Sequence, residues 1–183
     1  MRTETVTLFL AMLAVVAQVA VVVSLVLLVA ARLGVARDRV RAIADGVAPS
    51  ALVLAAAVAL VATVGSLWLS EGAGFPPCKL CWYQRIAMYP LSVVLAVAAW
   101  RRDAAVRRYV LPVAVIGAGI STYHVLLERF PSLEASGTCD PINPCTIRWV
   151  ERFGYLTIPT MALSAFALII TLVLVAGREE VAP

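Results

Sequence analysis

Five apolar stretches fill most of this chain, each about the 20 residues that a helix needs to cross a hydrocarbon layer of roughly 30 Å. They cover residues 5–31, 50–70, 82–100, 109–127 and 155–176. A backbone in lipid must satisfy its own N–H and C=O groups, and runs of this length do so as helices. With 62% of 183 residues hydrophobic and 14% charged, and a mean hydropathy of +0.95, a soluble core of this size could not bury them. The expected fold class is an all-α integral membrane protein, with five spans in one domain.

Loop charge orients the spans. Arg32, Arg37, Arg39 and Arg41 lie between the first two, and Arg101, Arg102, Arg107 and Arg108 between the third and fourth, so both connections are expected on the cytoplasmic side. Segments 71–81 and 128–154 then face outward, with the N-terminus outside and the C-terminus inside. The first run also bears comparison with a secretory signal, since Arg2 precedes it and Val29-Ala-Ala31 loosely resembles a cleavage site. It is far longer than a signal's apolar core, and cleavage would leave the Arg-rich segment outside, so it reads as a helix. The net charge of +4 reflects this topology rather than an affinity for nucleic acid. All four cysteines fall on the outer side or at its edge, and that placement points to an oxidising compartment and disulfide chemistry.

The chemistry concentrates in Gly74-Phe-Pro-Pro-Cys-Lys-Leu-Cys-Trp-Tyr-Gln-Arg85. A Cys-x-x-Cys pair serves either as a redox dithiol or as half of a zinc site. The turn-rich Glu71-Gly-Ala-Gly-Phe-Pro-Pro77 cannot continue a helix, so the third helix restarts near Cys81. Cys78 and Cys81 then sit at or before a helix N-terminus, whose free N–H groups and dipole favour a thiolate, with Cys81 the better placed. Arg85 follows Cys81 at i+4, on the same helix face. An arginine at mid-bilayer costs roughly 2.5 to 3.5 kcal/mol on insertion scales, less near the interface, so it needs a partner: lipid phosphate by snorkelling, the thiolate, or the carbonyl of a small polar-headed ligand in the outer leaflet.

The rest of the chain carries fewer signals. The first helix has Gln18 and Ser24 as its main polar interruptions and reads as an anchor or packing element. Ala55, Ala59 and Thr63 in the second place small residues at helical spacing, which permits close approach of a neighbour. Pro90 and Pro112 imply kinks, and Gly117 and Gly119 close packing. The only histidine, His124, lies at the outer end of the fourth helix, where it serves either as a satisfied hydrogen-bonding residue or as part of one pocket with Cys81 and Arg85. A bis-histidine haem within one chain is excluded. Cys139-Asp-Pro-Ile-Asn-Pro-Cys145 turns tightly enough for its ends to meet, although four cysteines allow three pairings. Trp149, Phe153 and Tyr155 read as interfacial anchors, and Thr157-Ile-Pro159 opens the fifth helix with proline in or near its first turn. The tail, Arg178 onward, reads as frayed.

Two cysteine pairs outside a membrane make a relay between a soluble partner and an electron acceptor. Strongly oxidising thioredoxin-fold dithiols sit near roughly −120 mV, and a thiol pool at roughly −180 to −210 mV could not regenerate them. A lipid quinone could, and it resides at the depth of Cys81, Arg85 and His124.

Cys78-Lys-Leu-Cys-Trp-Tyr-Gln-Arg85, Tyr123-His124, the Cys139/Cys145 pair and Phe153-Gly-Tyr-Leu-Thr-Ile-Pro159 together resemble the DsbB family of disulfide-forming quinone reductases, especially its BdbC-type branch, over about residues 50–176. The resemblance implies a four-helix transmembrane bundle that reoxidises a DsbA-like thioredoxin-fold protein and reduces a membrane quinone. By position, Cys139 is attacked by the partner's thiolate, Cys145 is released and exchanges with Cys78, and Cys81 is the thiolate that meets the quinone. Arg85 matches the family's quinone-supporting arginine, and His124 aligns with a histidine near the ring. The chain then divides into an extra N-terminal transmembrane helix with its Arg-rich loop (1–49), the DsbB-like bundle with two extracytoplasmic cysteine loops (50–176) and a cytoplasmic tail (177–183), in a bacterial plasma or inner membrane. The quinone is menaquinone or ubiquinone, with Arg-over-Lys and Ala/Val usage leaning to menaquinone through a GC-rich genome. Two departures stand out: the added first helix, and a Cys139/Cys145 spacing shorter than in members with a long second loop.

Three rivals remain. One is a structural four-cysteine zinc clamp, for which the Cys139/Cys145 spacing is loose and an oxidising compartment unfavourable. A second is a scaffold with two inert disulfides, which leaves Arg85 unexplained. The third is a reductase of the vitamin K epoxide type, which the residues from Trp82 to Arg85 argue against.

Overall fold

The computed structural model describes residues 3–134 and 137–177; the tail from Arg178 lies outside them. Its helices are α1 (Thr3–Arg32), α2 (Arg37–Leu67), α3 (Lys79–Arg101), α4 (Arg107–Arg129) and α5 (Ile158–Ala176). Each is long and apolar enough to span a membrane, α2 together with the π-helical turn Trp68–Gly72 that extends it. Two boundaries differ from the sequence expectation. The Arg-rich segment is not an open loop: α2 starts at Arg37 and runs through Pro49. Only 33–36 connect it to α1, with Gly34 (φ 82°) and Ala36 (φ 53°) left-handed to reverse the chain. The fifth helix starts at Ile158 rather than 155, because Glu151–Arg152 (β1) and Leu156–Thr157 (β2) pair antiparallel ahead of it. Phe153 (φ 53°) and Gly154 (φ 72°) both take positive φ between them, and the Tyr155 N–H donates to the Arg152 carbonyl at 3.2 Å. That is a type I′ turn, the geometry that matches strand twist.

Helices α2 to α5 pack around one core that holds Leu95, Val110, Phe166, Ile169 and Val173 with essentially no exposure. Ala55 and Ala59 of α2 are fully buried in it, and Thr63 is half-buried. A Cβ on Gly117 would collide with the Phe166 ring, whereas one on Gly119 would meet nothing; only the first glycine is needed for packing. Pro90 and Pro112 sit inside unbroken helices. Outside this bundle, α1 lies against α5 and α2, with most of its Val and Leu side chains exposed toward what would be lipid.

The loops between α2 and α3 and between α4 and α5 meet at one end of the bundle, opposite the arginine-bearing turns. Lys79 Nζ donates to the Gly137 carbonyl at 2.9 Å and Asn143 Nδ2 to the Pro76 carbonyl at 3.3 Å. Phe75 stacks on Trp149 with centroids 5.6 Å apart. These ties carry the four cysteines to one place.

Candidate functional site

Pro76 and Pro77 stop the chain from entering a helix, so α3 begins with Cys78 as its N-cap, whose Sγ accepts the Cys81 backbone N–H at 3.3 Å. One turn on, Cys81 Sγ lies 2.8 Å from Cys78 Sγ, and His124 Nε2 lies 3.7 Å from Cys78 on the far side. The Cys81 thiol above all, with His124 beside it, holds the Cys78 thiol well below its ordinary range, at about 4, although burial pushes the other way. The sequence reading gave Cys81 the better place for a thiolate; here the stabilising donors converge on Cys78, because the cap falls one turn earlier.

The second pair is joined. Cys139 and Cys145 form a disulfide with Cα atoms 5.8 Å apart. Asp140 Oδ1 accepts the Ile142 N–H at 2.9 Å and so tightens the loop between them. Both are buried, Cys139 with 7% of its residue surface exposed and Cys145 with 1%, so Cys139 is the less covered of the two. Both pack with Cys78, Leu80 and Leu127 in one apolar cluster that Cys81 adjoins.

His124 stands where the pairs meet. Gln84 Nε2 can only donate, so its 3.3 Å contact makes His124 Nδ1 an acceptor. That leaves Nε2–H to face the Cys145 carbonyl at 3.1 Å and Cys78 Sγ at 3.7 Å. The expectation of one pocket shared by His124, Cys81 and Arg85 is met only in part. His124 does not line the larger cavity described below; it borders a cleft of about 20 Å³ with Cys78, Cys81 and Glu128, room for about one water. Glu128, one helical turn beyond His124, is buried and accepts from Thr157 Oγ1 at 2.6 Å. The sequence reading passed over it, although its i+4 spacing from His124 was a usable signal.

The larger cavity, about 390 Å³, is enclosed by α1, α2, α3, α5 and the loop at Phe75. Its polar end is Cys81, Gln84 and Arg85, and the rest is almost wholly apolar. Arg85 is buried, with Nε donating to Ser66 Oγ at 3.0 Å, Nη2 to the Ser66 carbonyl at 2.9 Å and its guanidinium 5.1 Å from the Trp82 ring centroid. It is thus held by protein rather than by lipid phosphate. Since a guanidinium has five N–H donors, Ser66 leaves it capacity for another acceptor. Cys81 borders both cavities, as do Trp149 and Ile158. The ligand atoms of Cys78, Cys81 and His124 also lie within 4.8 Å of one another, a spacing that would suit a thiolate-binding metal.

Residues 48–176 match the family model described as Disulfide bond formation protein DsbB. The chain belongs to the DsbB family. It is 49% identical over 113 residues to Disulfide bond formation protein C of Bacillus subtilis, covering 62% of this chain and 82% of that one. It is also 39% identical over 142 residues to a probable disulfide formation protein of Metapseudomonas resinovorans, covering 74% and 94%. No solved structure matches the chain. As a DsbB-family protein it is a multi-pass membrane thiol oxidase that serves disulfide formation, and its first helix lies outside the matched segment.

Proposed function

We propose that this protein reoxidises a DsbA-like thioredoxin-fold partner and passes the two electrons through Cys139/Cys145 and Cys78/Cys81 to a membrane quinone, menaquinone or ubiquinone. The observation that carries this reading is Cys81: its sulfur partners Cys78 on one side, and on the other it borders an apolar cavity whose polar end is Arg85 and Gln84. Such a cavity, with a few convergent polar groups, suits a small ring with carbonyls.

The partner's thiolate forms a bond to Cys139 Sγ and breaks the Cys139–Cys145 bond, and Cys145 leaves as a thiolate. The partner's second thiolate then displaces Cys139, taking away a disulfide and leaving two electrons on the loop. Cys145 attacks Cys78 of an oxidised Cys78–Cys81 pair and releases Cys81; Cys139 closes back on Cys145 and releases Cys78. A dithiol at 78/81 beside a disulfide at 139/145 fits the stage just after this exchange. His124 orients the exchange from between the pairs, and its Nε2–H, which faces the Cys145 carbonyl and Cys78, donates a proton to a departing thiolate. Arg85 and Gln84 would hold a carbonyl oxygen at the end of the cavity. A quinone bound there would supply an acceptor for two electrons and two protons. The cysteine loops face the extracytoplasmic side of a bacterial membrane, because Arg32, Arg37, Arg39, Arg41, Arg101, Arg102, Arg107 and Arg108 gather at the other end.

The entry point is tested by trapping. A reduced partner whose second cysteine is replaced by serine should accumulate a mixed disulfide mapped by mass spectrometry to Cys139; a bond to Cys78 or Cys145 would contradict the order. The rival that a specific observation favours is a metal clamp on Cys78, Cys81 and His124. It predicts stoichiometric zinc in the purified protein and no consumption of quinone.

A further inference from the structure

The added helix α1 is not a free anchor. Gln18 Nε2 donates to Ser164 Oγ of α5 at 3.0 Å, Tyr155 OH donates to Gln18 Oε1 at 2.8 Å, and Arg152 Nη2 donates to Thr7 Oγ1 at 2.8 Å. The hairpin β1–β2 supplies two of the three. At its cysteine end α1 touches α2: a Cβ on Gly65 would come within 2.9 Å of Leu10 Cδ2. Leu10, Leu13, Ala14, Val16 and Ala17 then form a wall of the larger cavity.

The cavity's lining is uneven in exposure. From α3 and α5 every lining residue is buried or half-buried. From the facing sides of α1 and α2, Leu13, Val16, Ala57 and Val61 line the cavity and are also exposed, Val16 at 63% and Val61 at 40%. The space therefore opens sideways between these two helices, through purely aliphatic edges, and well away from Arg85. About 390 Å³ is near the small end of ligand pockets. It takes a quinone ring and the first part of a prenyl chain, and a longer tail must leave.

We infer that the seam between α1 and α2 is a lateral portal through which the polyprenyl tail of the quinone passes into lipid, so that five helices, not four, build the quinone site. This rests on the quinone reading above and adds to it a role for α1 and a path for the tail.

The test uses Val16→Trp and Val61→Trp in the full-length protein, at exposed positions where a larger side chain narrows the seam without entering the core. Steady-state KM is measured with reduced partner for a methylnaphthoquinone and its polyprenyl form, and for the corresponding benzoquinone pair. Each variant should raise the ratio of tailed to tailless KM by about tenfold, the scale of steric discrimination in an apolar pocket. Val23→Trp, on α1 but away from the cavity, should leave the ratio at its wild-type value. Arg85→Met should raise KM for tailed and tailless forms alike. A ratio within about twofold of wild type in both seam variants, with Arg85→Met still impaired, would overturn the portal and leave the quinone reading standing. Failure of the wild-type protein to reduce any of the four quinones would overturn both.

Discussion

Two side chains decide how electrons would pass through this molecule. Cys78, capped by the Cys81 N–H and faced by the Cys81 thiol, His124 and Glu128, is held as a thiolate above about pH 4. A lowered thiol pKa means that the reactive form is present on the alkaline side of that value. Alkylation of Cys78 in the reduced protein should therefore be nearly independent of pH between about 6 and 8, where an ordinary thiol gains roughly tenfold per unit; a tenfold slope at Cys78 would contradict the assignment. Arg85 has its own signature. Replacing it with Met removes the donors at the end of the cavity but not the thiols, so the quinone KM should rise about tenfold or more while the partner's KM moves little. Equal changes in both would indicate a folding defect. Cys78, Cys81 and Arg85 were legible in the sequence because they share a short, regular spacing at one helix start. Ser66, which holds Arg85 from 19 residues away, and Thr157, which bonds Glu128 from 29 away, lie on other elements and leave no local pattern.

At the scale of elements, helices were legible and their edges were not. Length and apolarity gave five spans, but the helix period does not reveal that α2 continues through its Arg-rich start. Two-residue strands are too short to show alternation, so β1–β2 read as part of a span and its flank. In the core of the bundle, Gly117 of α4 lies close against the Phe166 ring of α5. Gly117→Val should destabilise the protein by about 1 to 3 kcal/mol, the usual cost of overpacking a core. A lowered Tm in detergent is the expected result, whereas Gly119→Val, with open space at its Cβ, should leave Tm near wild type. Because valine is a better helix former than glycine, equal losses at both positions would contradict a specific role for the Phe166 contact.

Over the whole molecule, ties between two loops bring both cysteine pairs to one end of a membrane bundle, beside a largely apolar cavity. The family motifs made the family readable and suggested the proposed relay, but the place of α1 was not readable, because cavity-lining Leu and Val look like lipid-facing Leu and Val in a sequence. The central claim, that all four cysteines carry electrons to a quinone, is tested most directly without oxygen. Purified protein is mixed with a reduced DsbA-like partner and a soluble quinone, and quinone absorbance is followed for the wild type and for each Cys→Ser variant. The account predicts one quinone consumed per partner disulfide formed in the wild type, and no partner-driven loss when any of Cys78, Cys81, Cys139 or Cys145 is replaced. Quinone loss that persists without Cys139 or Cys145, or none in a folded wild type with active partner, would contradict it.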